Sequence, residues 1–214
     1  MNVSYTGEQR VRDLIRIVEL QFGSYIQIRR EYARELASII TDYLYYEGAN
    51  TVLFKNRLKQ SAAYAIAAAG DTAWKDGGGG EEMDPEVFAW LAARQSMELA
   101  HLDVLAETLK GLRTDKNIDA NAEGVSRGEG YAKTLDYIYN EIKTRAAGNK
   151  MLTLQGWDGK DSCRTCQKYK GQRHKASWWV KHGLVPGQGN ENYECGGWRC
   201  QHYLADEQGI LWSV

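Results

Sequence analysis

Apolar side chains recur every three or four residues from Val11 to Tyr43, through Leu14/Ile15, Val18, Phe22, Tyr25, Ile28, Tyr32, Leu36 and Ile39/Ile40. That spacing lays one apolar stripe along a helix and predicts a single long helix, with Gly23-Ser24 as its kink point. Glu47-Gly48-Ala49-Asn50 supplies the stop. Leu53 to Trp74 then continues, with an alanine-rich run (Ala62, Ala63, Ala65, Ala67 to Ala69) suited to close approach of two helices. The pair predicts a helical hairpin.

Four consecutive glycines, Gly77 to Gly80, follow Asp76; glycine has the greatest backbone freedom, so the tract is expected to be a flexible joint. Asp84-Pro85 restarts helix, Asp as N-cap and Pro at the first helical position, where a missing N–H costs nothing. Phe88, Leu91, Leu99, Leu102, Leu105, Leu109 and Leu112 sustain it. The polar, glycine-bearing stretch 114–130 reads as a separator before a last helical pattern, Tyr131, Leu135, Ile138, Ile142 and Ala146, ended by Gly148. From Met151 on, helical periodicity stops. Short apolar pieces (Met151 to Leu154, Trp178-Trp179-Val180, Tyr203-Leu204) stand among Gly, Trp, Cys and His, the pattern of a small irregular module with a staple. The expected fold is mainly α: a helical region over 1–150, then a small irregular α+β module stapled by zinc over 151–214.

Composition sharpens this reading. The chain has 214 residues, 27 Lys plus Arg against 28 Asp plus Glu, with 13 Tyr and 7 Trp to add apolar area. A net charge of −1 leaves no self-repulsion to hold it open. It also conceals an asymmetry: residues 156–204 carry eight basic side chains against Asp158, Asp161, Glu191 and Glu194. Met1 to Arg10 has no apolar core of a leader peptide, and no stretch reaches the roughly 18 apolar residues of a membrane span. An intracellular protein that does not enter membranes is expected.

Chemistry concentrates in the cysteines: Cys163-Arg164-Thr165-Cys166 and Cys195-Gly196-Gly197-Trp198-Arg199-Cys200, with 28 residues between. Intracellular thiols stay reduced, so metal binding leads over disulfides. Two cysteines two residues apart can chelate one ion through a tight turn, and Gly196 and Gly197 give the second pair the same freedom to turn. Cys163, Cys166, Cys195 and Cys200 are the candidate zinc ligands, in a closed site that stabilises structure and does not activate water. His202, two residues beyond Cys200, is the alternative ligand, and His174 and His182 lie inside the gap. Buried core cysteines and redox chemistry are the competing readings; redox chemistry lacks the alternating strand and helix context that it requires. Trp157, Trp178, Trp179 and Trp198 are expected to pack around the metal. No residue is a candidate for catalysis on this reading; a His-Asn-His arrangement of His174, Asn190 and His202 defines the rival, a zinc-containing nuclease or DNA-binding module.

The segment from Trp157 to Gln172, closed by Cys195 to Leu204, resembles the carboxy-terminal segment of phage head morphogenesis proteins, the Mu F-like minor head proteins. Asp161, Cys163, Cys166, Gly171, Arg199 and Cys200 fit the family outline, while Cys195-Gly196-Gly197 stands where a His-Pro is usual. The resemblance covers about the last sixty residues. It implies a minor virion protein, made in the host cytoplasm beside the portal and major capsid proteins, present as a homo-oligomer or in multiple copies, contacting the portal or the capsid interior, and in some relatives ejected with DNA.

Overall fold

The computed structural model describes residues 7–115, 117–156, 163–187, 190–197, 202–209 and 212–213, with side chains described from residue 23 onward. Five helices come first, α1 (Gly7–Tyr45), α2 (Thr51–Asp76), α3 (Pro85–Leu112), α4 (Ala120–Ala132) and α5 (Thr134–Ala147). The remainder is β1 (Met151–Gly156), α6 (Arg164–Tyr169), β2 (Arg173–Lys175), α7 (Ala176–Lys181) and β3 (His202–Ala205). The chain is mainly helical, with one small sheet.

The helix boundaries follow local chemistry. α1 runs unbroken through Gly23-Ser24. The Asn50 side chain accepts from the Val52 and Leu53 amides at 2.9 and 3.1 Å, starting α2, and Asp84 accepts from Glu86 at 2.9 Å, with Pro85 in the first turn of α3. Arg113 pins the α1–α2 loop by donating to the carbonyls of Tyr46, at 2.7 Å, and Ala49, at 3.2 Å, while its guanidinium lies 4.7 Å from the Tyr43 ring centroid.

One helix contradicts the sequence reading. The supposed separator folds as α4, capped by Asp119, whose side chain accepts from the Asn121 and Ala122 amides. Its buried residues are Gly124, Gly128 and Ala132, a strip of small residues four apart that carries no apolar periodicity. A Cβ on Gly128 would stand 2.5 Å from the Ala33 carbonyl, and one on Gly124 would stand 2.7 Å from that of Ala37. Backbone therefore packs on backbone where α4 meets α1.

The tetraglycine is likewise shaped by contact. A Cβ on Gly77 would lie 2.5 Å from the Lys143 carbonyl oxygen, and one on Gly79 would enter the Trp74 indole, whose Nε1–H donates to the Gly80 carbonyl at 3.0 Å. The expected joint is a corner folded against α5 and Trp74.

Two hydrophobic clusters result. The first gathers Tyr25, Leu36, Ile40, Leu58, Ile66, Leu105, Leu109 and Leu135 among others from α1, α2, α3 and α5. The second gathers Leu152, Leu154, Cys166, Trp179, Val185, Tyr193, Leu204 and Trp212 around an antiparallel sheet of order β2-β1-β3. α5 joins them. The Asn140 side chain donates to the Pro186 carbonyl at 2.9 Å, the Lys143 ammonium lies 4.7 Å from the Trp212 ring, and Gly187 packs on the Tyr137 backbone. No helix among the described residues is long and apolar enough to cross a membrane.

Gly128→Ala and Gly130→Ala should have opposite signs. Alanine at Gly130, which has open space at its Cβ, should stabilise by about 0.5–1 kcal/mol, as expected for an unhindered helical glycine. Alanine at Gly128 must push α4 from α1 and should cost on the order of 1–3 kcal/mol. Urea unfolding measures both, and equal signs would refute the close crossing.

Burial of Lys143 lowers its pKa from 10.5 to about 8, an effect that Asp76 opposes. Between those two values the unfolded chain binds one proton more than the folded one, so this group makes stability rise with pH across the window and fall to its full penalty below pH 8. Lys143→Met should remove that penalty, on the order of 3 kcal/mol. Its advantage over the natural protein in denaturant unfolding should be larger at pH 7 than at pH 10, and a pH-independent difference would show that Lys143 stays solvated.

Candidate metal centre

Cys163 is the N-cap residue of α6, and Cys166 sits in its first turns, buried to 1% exposure. The turn closes through the Gln167 amide donating to the Cys163 carbonyl at 3.0 Å and the Lys170 amide to that of Cys166 at 2.9 Å. Cys195 arrives on a separate turn, in which the Gly196 amide donates to the Tyr193 carbonyl at 2.7 Å. Gly196 (φ +59°) and Gly197 (φ +73°) follow in the left-handed region, where a side chain would be strained.

The two turns converge. Burial raises the Cys163 thiol, but hydrogen bonds from the backbone and side chain of Cys166, and then of Cys195, outweigh it and hold the thiol below its ordinary value. Cys163, Cys166 and Cys195 are thiols, with no disulfide among them. Cys200 lies outside the described residues, as do Trp157, Asp158, Asp161, Trp198 and Arg199. Among the described residues no group of three or more His, Cys, Asp or Glu is arranged to hold a metal ion. The donor chemistry nevertheless suits a thiophilic one: sulfurs from two turns come together, and hydrogen bonds to the Cys163 sulfur favour its thiolate.

Two further residues tie the turns together. The Glu194 carboxylate accepts from the Arg164 amide at 2.8 Å, and the Thr165 hydroxyl accepts from the Glu194 amide at 3.2 Å. The sequence reading passed over both. Their signal was position alone, one inside the first cysteine pair and one adjoining the second.

His202 lies at the start of β3 opposite Gly156, on the same face as Leu204 and Leu154, and its ring fills the space a Gly156 Cβ would need. Burial, then the charge of Lys170, lowers its pKa, which favours the neutral imidazole that metal coordination uses. Trp179 is fully buried, donating to the Leu152 carbonyl at 3.1 Å, a core residue of this module. Trp178 is half-buried, with the imidazoles of His174 and His182 stacked on it at 3.7 and 4.0 Å between ring centroids.

The His-Asn-His grouping is not assembled. His174 pairs with Leu152 and His202 with Gly156, four residues apart along β1 and on its opposite edges. Standard strand dimensions put their Cα atoms about 16 Å apart. The Asn190 amide is fully engaged, donating to the Gly183 and Val185 carbonyls at 2.9 and 2.7 Å and accepting from the Asn192 amide at 3.0 Å. His101, exposed on α3, stands 3.6 Å from the Glu98 carboxylate.

Comparison with known protein families, with curated proteins and with solved structures gives no match.

Proposed function

We propose that this chain is a structural and assembly protein of a tailed phage head, of the Mu F-like minor head type, in which Cys163, Cys166, Cys195 and Cys200 hold one zinc ion. In this reading His202 is the reserve ligand. The observation that carries it is the meeting of Cys163 with Cys166 and Cys195, residues from both halves of the cysteine pattern on which the family resemblance rests. A closed thiolate site contributes folding free energy to a module with few apolar side chains of its own. The chain works in several copies, docked on the portal or major capsid protein.

The helical part suits such docking. Tyr45, Tyr46, Val52 and Leu53 crowd the tip of the α1–α2 hairpin and remain more than half exposed, a concentration of apolar surface that marks contact sites.

Elemental analysis of the purified protein should find zinc in a one-to-one ratio, and Cys166→Ser should lose the metal and lower the thermal midpoint while helical circular dichroism is largely kept. Metal-free protein, or a variant of unchanged thermal stability, would remove the zinc. Antibodies to the chain should detect it in purified heads assembled with the portal and coat proteins encoded beside it. Absence from such heads would remove the assembly role.

A further inference from the structure

The strand order leaves β2 at a sheet edge, with Arg173 and Lys175 exposed on it and His174 turned toward Trp178. α7 follows directly and carries exposed Lys181. Between them lies a cleft of about 480 Å³ lined by Met151, Arg173, His174, Lys175, Ser177, Trp178 and Lys181. Three of these are permanent cations and none is a carboxylate. Glu207 bonds Arg173 from outside the lining, and no ion pair among the described residues engages Lys175 or Lys181. The cleft is therefore a concentrated positive site in a chain of net charge −1, and its natural complement is a polyanion.

Two further features narrow the ligand. His174 and His182 both stack on Trp178 and make no ring contact with each other, so they take opposite faces of the indole. A base has no open face on which to stack, which removes the usual means of holding single strands. The large exposed hydrophobics all lie on the helical part, at Tyr45, Tyr46, Val52, Leu53, Tyr64, Phe88, Met97, Val104 and Val125, so among the described residues the module has no side chain with which to enter a bilayer. Charge without stacking or insertion is the chemistry of backbone recognition.

We propose that the cleft between β2 and α7 docks the phosphodiester backbone of a nucleic-acid duplex, with Lys175 and Lys181 as the principal phosphate contacts and Arg173 held alongside by Glu207. The contact is independent of sequence. It stands on this surface alone, whatever the larger assembly in which the chain works.

The test uses the full chain and a fluorescent DNA duplex of about 20 base pairs, followed by anisotropy across a salt series. Affinity should fall steeply with salt, and the double variant Lys175→Gln/Lys181→Gln should bind about tenfold more weakly, with a log–log salt slope shallower by about 2. Lys75→Gln/Lys110→Gln changes the net charge equally on α2 and α3, and should leave affinity and slope as they were. Equal effects from the two double variants would reduce the contact to overall charge and overturn the site. Tighter binding to single-stranded oligo(dT), with quenching of tryptophan fluorescence, would also overturn it, as would binding to phosphatidylserine vesicles with none to duplex. Both double variants keep their backbones and lose only exposed side-chain charge, so circular dichroism should match the natural protein.

Discussion

A helix buried on every side must satisfy each polar side chain it carries, and α5 is such a helix. From Leu135 to Thr144 it alternates core residues with Asn140, Glu141, Lys143 and Thr144, all buried. Each of these side chains has a partner: Asn140 the Pro186 carbonyl, Glu141 the Arg145 guanidinium through Oε1, Thr144 the Asn140 carbonyl at 2.6 Å, and Lys143 the faces of Tyr139 and Trp212. Among them Glu141 Oε2 alone is buried without a hydrogen bond. Pro186 and Trp212 belong to the module, while Tyr139 of the same helix reaches α1 and α2, so α5 is where the two cores are made to agree. Tyr139 shows the coupling: its ring stacks on Tyr25 of α1 at 4.1 Å, and its hydroxyl donates to Asp76 at the end of α2 at 2.5 Å. Burial, the Asp76 hydrogen bond and the Asp76 charge raise its pKa far above the ordinary phenol value, so the phenol stays a donor.

How much of this could be read in advance depends on whether a residue acts through its neighbours in sequence or in space. The long helices were legible because stripes such as Tyr25-Ile28-Tyr32-Leu36 are local, and so were the Asp84 cap and the Gly148 stop. α4 was not, because its buried face is made of absence: glycine at 124 and 128 looks like a loop to any argument from propensity, and acquires meaning only when the Ala33 and Ala37 backbone fills the space. The tetraglycine misleads in the same way. Thr165 and Glu194, which join the turns around Cys163 and Cys195, were not legible, since ordinary polar residues advertise nothing until brought together. Lys143 belongs with them. Nothing around it in sequence marks it as buried under Trp212, sixty-nine positions on.

The charge distribution divides the molecule in a way that composition concealed. Helical ion pairs such as Lys59–Asp103 at 2.7 Å and Arg127–Glu123 at 2.7 Å balance the bundle internally. Exposed pairs of this kind contribute little to stability, but they cancel long-range field. Around β2 and α7 Glu207 balances Arg173, but no ion pair among the described residues engages Lys175 or Lys181, so their charge is presented outward. His174, which lines the cleft between them, and His182 lie over Trp178, covering an aromatic surface that would otherwise attract apolar partners.

What a sulfur staple adds to the module can be judged from where its core already rests. Trp179 and Leu152 pack in the centre of that core, and the Ala176 and Ser177 amides donate to the Lys150 and Gly148 carbonyls at 2.7 and 2.8 Å, anchoring α7 to the end of α5. These contacts lie on the side of the sheet joined to the helical part. The first cysteine pair lies at the start of α6, and the Thr165 and Glu194 hydrogen bonds that join it to the Cys195 turn are both exposed to competing water. A metal there would thus act where Cys166 is buried in the core but Cys163 and Cys195 are only partly covered. Its removal would free the turns around Cys163 and Cys195 before it disturbed Trp179, which the Leu152 carbonyl and α5 hold independently. The gradient runs from a seam set by buried side chains to a rim tied by exposed hydrogen bonds, and stability in the module should fall along it.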